Sequence, residues 1–387
     1  MKCLALLAAV ACFPFAGACS SAAPSSAQPE PVQQHGDAAV LSLTHAVDAA
    51  ALTPGANAAC APTGKPLFAS AICVCGDYSQ AGALVTVPEN AGAASVGVNG
   101  DSAVVSSTSI GGSFVPYGGL SITGPTQVAD DLVSAADVTG AGTLQVGHDL
   151  DVGGHLSFAG TLTVGGDLRA PDATLIAGES IGGYGPFTAP AVPCGCGASQ
   201  ILDVAAAVQA AALHNDNAKN GFSSTGMDMV GPSSITLTEG SYYIQQVGSV
   251  GVAALTIDGA VSLYIGGSLS QGGVDKVVLL TGATLDLYVE GAVATAGSVT
   301  YGDVARPDAF RLYVGGAGST ILTAGSQVFH GLVYAPSARL SFSGVTEVDG
   351  ALFADSLAWS GTMRVQYSGG AGSSQGTCSP PTSTDPK

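Results

Sequence analysis

Cations are scarce in this chain: ten Lys and Arg stand against 28 Asp and Glu, a formal net charge of −18. Beyond Lys2 they are scattered from Lys65 to Lys387, so no basic patch can form, and nucleic acid is excluded as a partner held by charge. Charged residues make up only 10% of the chain and aromatic residues 6%, while 47% are hydrophobic. A chain this apolar is not disordered throughout. Membrane-spanning runs are missing as well, since the apolar stretch from Cys3 to Phe15 is too short. There is no nucleophile elbow between a strand and a helix, no H-E-x-x-H pair and no phosphate-binding loop. What is abundant is glycine, 55 residues without the third-residue rhythm of collagen. Glycine mixed with Val, Ile, Leu, Thr and Ser predicts many short strands joined by tight turns.

Met1-Lys2, the apolar run and Ala16-Gly17-Ala18-Cys19 predict a secretory signal peptide over 1–18. Small residues immediately before a cysteine resemble the bacterial lipobox, although Ala16 stands where Leu is more usual. The resemblance implies that Cys19 is acylated and becomes the mature N-terminus; the alternative is an ordinary signal peptide with Cys19 as a structural thiol. Ser20, in place of the Asp that retains lipoproteins at the inner membrane, implies the outer membrane or cell surface. Residues 19–60, rich in Ser, Ala, Pro and Gln, read as the lipidated cysteine and a flexible tether, and 369–387 as a disordered tail. The membrane is then a partner through the lipid alone.

The body between them repeats. Val128, Val146 and Val164 are 18 residues apart, as are Asp131, Asp149, Asp167 and Leu132, Leu150, Leu168. Apolar residues alternate with small or polar ones inside each repeat, the period of a strand with one buried face. A constant step longer than a strand marks stacked coils. The expected fold is therefore all-β: a right-handed parallel β-helix, or solenoid, with one inserted or capping α-helix. Its N-terminal part covers 61–190 and its C-terminal part 236–368. In the latter, Ser262–Gly267, Asp286–Gly291 and Arg311–Gly316 share one pattern. Tyr264, Tyr288 and Tyr313 are expected at equivalent places on successive coils. Between the parts, an insert over 191–235 carries Cys194, Cys196 and a helix that Ser199 can cap, with an apolar face from Ile201 to Ala212. Such a helix lies against a coil face or covers an end.

Six cysteines remain once the signal peptide and Cys19 are set aside: Cys60, Cys73, Cys75, Cys194, Cys196 and Cys378. An even number in an exported chain favours disulfides. A bridge within either C-x-C is sterically unfavourable, so the two pairs are candidates for linking to each other. Tetrahedral zinc on Cys73, Cys75, Cys194 and Cys196 is the alternative, against which stands the oxidising compartment. Asp131, Asp149 and Asp167 stack along one edge at the 18-residue step. Three readings are open for them: closing turns through backbone hydrogen bonds, holding Ca²⁺ with oxygen ligands, or catalysis. No cofactor and no other metal is indicated.

The Val-Gly-Gly-Asp-Leu steps between Val146 and Leu168 resemble the coils of bactofilins, polymer-forming β-helical proteins, over roughly 83–183. The likeness is to the fold, since bactofilins are shorter and lack export signals. Cys194-Gly-Cys196, His214-Asn-Asp-Asn217, Arg311–Gly316, Leu332–Pro336 and Gly350–Phe353 resemble a group of uncharacterised bacterial secreted proteins. That resemblance implies an extracytoplasmic β-solenoid and supplies no activity. The expectation is a non-enzymatic structural or adhesive lipoprotein, with polysaccharide or envelope components as partners and self-association through open coil ends as a further possibility. A polysaccharide-degrading enzyme on the same solenoid is the rival. It would show itself as a groove holding two or more carboxylates beside a basic residue.

Overall fold

The computed structural model describes residues 68–89, 93–176, 179–187 and 189–368. The segments expected as signal peptide (1–18), tether (19–60) and tail (369–387), with Cys19, Cys60 and Cys378, lie outside the described residues. Strand accounts for 65% and helix for about 4%, arranged as a parallel β-solenoid of about 12 turns with one helix.

In the N-terminal part the 18-residue step is one coil. Leu120–Val128, Val138–Val146 and the middle of His155–Arg169 pair in parallel without slippage. Val128, Val146 and Val164 lie over one another at 3% exposure or less, and Leu132, Leu150 and Leu168 form a second inward column. Strand alternation puts these side chains into a shared interior and their neighbours outside. Between the two faces the backbone turns at Gly124, Gly142 and Gly160. Gly142 has φ +116°, and a Cβ there would sit 2.9 Å from the carbonyl oxygen of Gly124. Glycine takes this dihedral without a Cβ penalty and lets the coils stack closely, whereas Ser106, under Gly124, holds the same corner at φ +141°.

The C-terminal part stacks in the same way with longer coils. Met227–Ile244, Val247–Ile265 and Leu269–Leu279 pair in parallel. The steps of 24 and 25 residues keep Tyr264, Tyr288 and Tyr313 in register, since the extra residues loop out between Leu279 and Thr284 and around the short 3-10 turn Pro307–Ala309. The first strand begins at Met227, inside the span expected for the insert. Gly231 and Pro232 interrupt its pattern, which an edge strand tolerates.

The order of the stack is not the order of the chain. The last coils, within Thr320–Tyr367, pair with the first: Ile72 opposes Leu352, Tyr78 opposes Leu357 and Ala83 opposes Thr362. The two parts thus form one continuous solenoid, with Met227–Ile244 at one end and Asp172–Ile176 with Glu179–Tyr184 at the other. Residues 185–226 must return from the second end to the first. They do so along the outside, which is why the helix lies against a coil face and not between two stacked parts. The helix α1 runs from Val204 to Leu213. Its N-cap is Asp203, whose carboxylate accepts from the N–H of Ala206 at 2.9 Å, and not Ser199.

Candidate functional site

The carboxylates singled out by the repeat stand at one turn of successive coils. The Oδ1 of Asp131 accepts from the N–H of Asp149 at 3.0 Å, and that of Asp149 from the N–H of Asp167 at 2.8 Å. A parallel series runs along a second turn, where Asp101 accepts from Gly119 N–H and Asp137 from His155 N–H, both at 2.8 Å. Each aspartate closes its turn by binding the coil above, satisfying an amide that the strand ladder leaves free. Repulsion along the column is relieved by Arg169, which contacts Asp149 at 2.8 Å, Asp151 at 3.2 Å and Asp167 at 3.1 Å. One oxygen each of Asp131 and Asp149 thus faces an amide, and Asp149 and Asp167 face the Arg169 guanidinium, an arrangement that fits the turn-closing reading of Asp131, Asp149 and Asp167. Among the described residues no group of three metal-ligating side chains comes together.

Arg169 was not singled out from the sequence. The 18-residue step contains the signal, because it places Arg169 directly over Asp151. The cluster has the carboxylates and the basic residue that the enzyme rival requires, and its two inner carboxyls are pushed in opposite directions. The N–H of Asp167, followed by Arg169, holds the Asp149 carboxyl below the usual range. Burial raises that of Asp151 in spite of Arg169. Asp149, then Asp151, makes Arg169 hold its proton more firmly than a free guanidinium.

A carboxyl with a depressed folded-state pKa contributes stability above its unfolded value of about 4 and loses it as pH falls through the folded value. Asp149→Ala is expected to lower the melting temperature at pH 7, with the gap to the unaltered protein closing below about pH 4. A gap that persists at low pH, read by thermal melts, would show that the carboxylate charge is not responsible.

A second cluster lies on the outer face of the other part. Tyr264, Tyr288 and Tyr313 stack with ring centroids 4.6 and 4.5 Å apart and planes within 9° of parallel. Tyr334 and Phe353 continue the column to Cys73. Val204, Ala207 and Val208 of α1 cover it, and the Tyr334 hydroxyl accepts from Leu202 N–H at 2.9 Å. Burial pushes the phenols of Tyr288 and Tyr313 well above their ordinary range, so they stay protonated and serve packing. Two disulfides, Cys73–Cys194 and Cys75–Cys196, clip the returning segment to the coil where the two parts meet. The zinc alternative is corrected accordingly, because a sulfur in a disulfide is no thiolate ligand.

The string His214-Asn-Asp-Asn217 turns out to do two jobs. Asn215 donates to the carbonyl of Ala211 at the helix end at 2.8 Å. Asp216 accepts from Ser241 N–H, and the Asn217 amide both accepts from Tyr243 N–H at 3.0 Å and donates to Tyr243 C=O. It thereby completes part of the exposed edge of the terminal coil, the place where solenoids otherwise recruit foreign strands. Asn217→Ala should cost about 2 kcal/mol, the penalty of stranding buried polar groups. Hydrogen exchange at Tyr243 is the direct readout, and unchanged protection would refute the role.

Residues 199–370 match the family model described as a domain of unknown function (DUF7305). Neither a curated protein nor a solved structure matches the chain. The matched span opens just before α1 and closes just past the last strand. It takes in the tyrosine column and the edge cap, and leaves out Cys194, Cys196 and the 18-residue coils, so the likeness of those coils to bactofilins rests on their repeat pattern alone.

Proposed function

We propose that this protein is a lipid-anchored, extracytoplasmic solenoid with a structural or adhesive role and no catalytic one. The observation that carries the reading is the pair of disulfides, Cys73–Cys194 and Cys75–Cys196, because such bonds persist in oxidising compartments. The placement of Cys19 behind a short apolar run and small residues supports export with a lipid on that cysteine. Against catalysis stands the use of Asp131, Asp149 and Asp167 as turn acceptors and of Arg169 as their counter-charge.

The test is labelling of cells with radioactive palmitate, followed by membrane fractionation of the unaltered chain and Cys19→Ser. The unaltered chain should take up label and sediment with outer membranes, and the variant should do neither. Label retained by Cys19→Ser, or an unaltered chain found soluble and unlabelled, overturns the anchoring. The enzymatic reading is favoured by the carboxylates gathered around Arg169. Polysaccharide turnover that is lost in Asp149→Ala would establish it.

A further inference from the structure

We infer that the two strand faces meeting at Gly124, Gly142 and Gly160 form a docking surface for a neutral polyhydroxyl polymer. The inference rests on the extracytoplasmic reading above, since it is outside the cytoplasm that such polymers lie within reach.

The surface is defined first by where charge is missing. The strands Ser102–Val105, Thr108–Ile110, Leu120–Val128 and Val138–Val146, and residues 156–164 above them, contain no charged residue. The same coils carry Asp101, Asp130, Asp131, Asp137, Asp149 and Asp151, all at the turns or on the third face. In a chain of net charge −18, two of three faces have thus been kept neutral and the acid confined to the remainder. Solubility alone would not require that separation.

What these faces present instead is chiefly hydroxyls and amides, with Val105, Pro125, Ala141 and Ala159 exposed between them. Ser121, Thr139 and Ser157 stack in one outward column, and Gln127, Gln145 and Thr163 in another. Neighbouring members are one coil apart, roughly 4.8 Å. Each hydroxyl or carboxamide both donates and accepts, as a sugar hydroxyl does. The one aromatic side chain on these strands, Phe158, points inward at 2% exposure, so the surface has no anchor of the kind that dominates protein–protein interfaces. Without charge it attracts neither polyanions nor polycations. A neutral polymer bearing hydroxyls at regular intervals meets these features, and its many weak contacts add along the stack.

The experiment is co-sedimentation of the full chain in detergent with cellulose, chitin and a β-1,3-glucan, with alginate as the polyanion. At least one neutral glycan should retain the protein, unaffected by raising NaCl from about 0.05 to about 0.5 M. Thr139→Asp/Gln145→Asp and Thr139→Lys/Gln145→Lys should each weaken retention about tenfold or more while melting normally, because either sign of charge must be desolvated against a neutral partner. Retention by no neutral glycan overturns the inference. So does unchanged binding by both variants, or tighter salt-sensitive binding of alginate by the lysine variant. Light scattering that shows a dimer broken by these substitutions would identify a second copy as the occupant instead. Palmitate labelling reads the anchoring independently, so a labelled chain that binds no glycan sinks this surface and leaves the lipoprotein reading intact.

Discussion

Cys73→Ser together with Cys75→Ser is expected to remove about 4–5 kcal/mol of stability, whereas either substitution alone should cost about 1 kcal/mol or less. Each bridge spans 121 residues of sequence, and closing a loop of that size restricts the unfolded chain strongly. The two loops are offset by only two positions at each end, so they constrain nearly the same conformations. Whichever bridge survives retains most of the effect. The native state also changes, because the segment from 185 to 203 is then held mainly by contacts such as those of Asn99 with Cys194 and of Leu202 with Tyr334. Urea titration of the three variants, with limited proteolysis to locate the released segment, is the measurement. Equal and additive losses from the single variants would refute the overlapping-loop account.

The second large effect is expected at the junction of the two parts. Trp359, the protein's one tryptophan, is 4% exposed and packs edge-on against Tyr78 with centroids 4.9 Å apart. Tyr78 in turn contacts Phe114 on the next-but-one coil. Here residues far apart in the chain, Leu357–Trp359 and Tyr78–Gln80, lie side by side. Trp359→Ala should cost about 3–5 kcal/mol, through lost burial and the cavity left behind. Trp359→Phe should recover much of it. Because stacked coils depend on their neighbours, a weakened junction should let residues 72–184 unfold before the rest. Urea unfolding followed by circular dichroism would then show two steps in Trp359→Ala and one in the unaltered protein. A variant that loses less than about 1 kcal/mol would mean that the interface is held elsewhere.

Much of the coil geometry was legible because an inward position must be apolar in every coil. Val128, Val146 and Val164 display the period openly, and Leu132, Leu150 and Leu168 repeat it. The tyrosine register was readable for the same reason, since each Tyr falls at the same place in a Leu-Tyr-Val or Leu-Tyr-Ile strand. Arg169 was harder to see: a single cation carries no period, and its role appears only when Asp151 is placed beneath it. The edge cap escaped for a related reason. Asn217 lies next to a helix end, where an amide ordinarily serves the helix, yet its partners belong to Tyr243.

By itself the sequence determined that this chain coils, which side of each strand turns inward, and that acid collects at the turns of the 18-residue coils. These follow from neighbours along the chain and from a period, and both are local. Only the tertiary structure decided that the final coil sits beneath the first, that Cys73 meets Cys194, and that the helix travels back along the tyrosine column. The physical reason is that one apolar coil end accepts another on similar terms. Which ends meet depends on the route of residues 185–226, and no periodicity encodes that route.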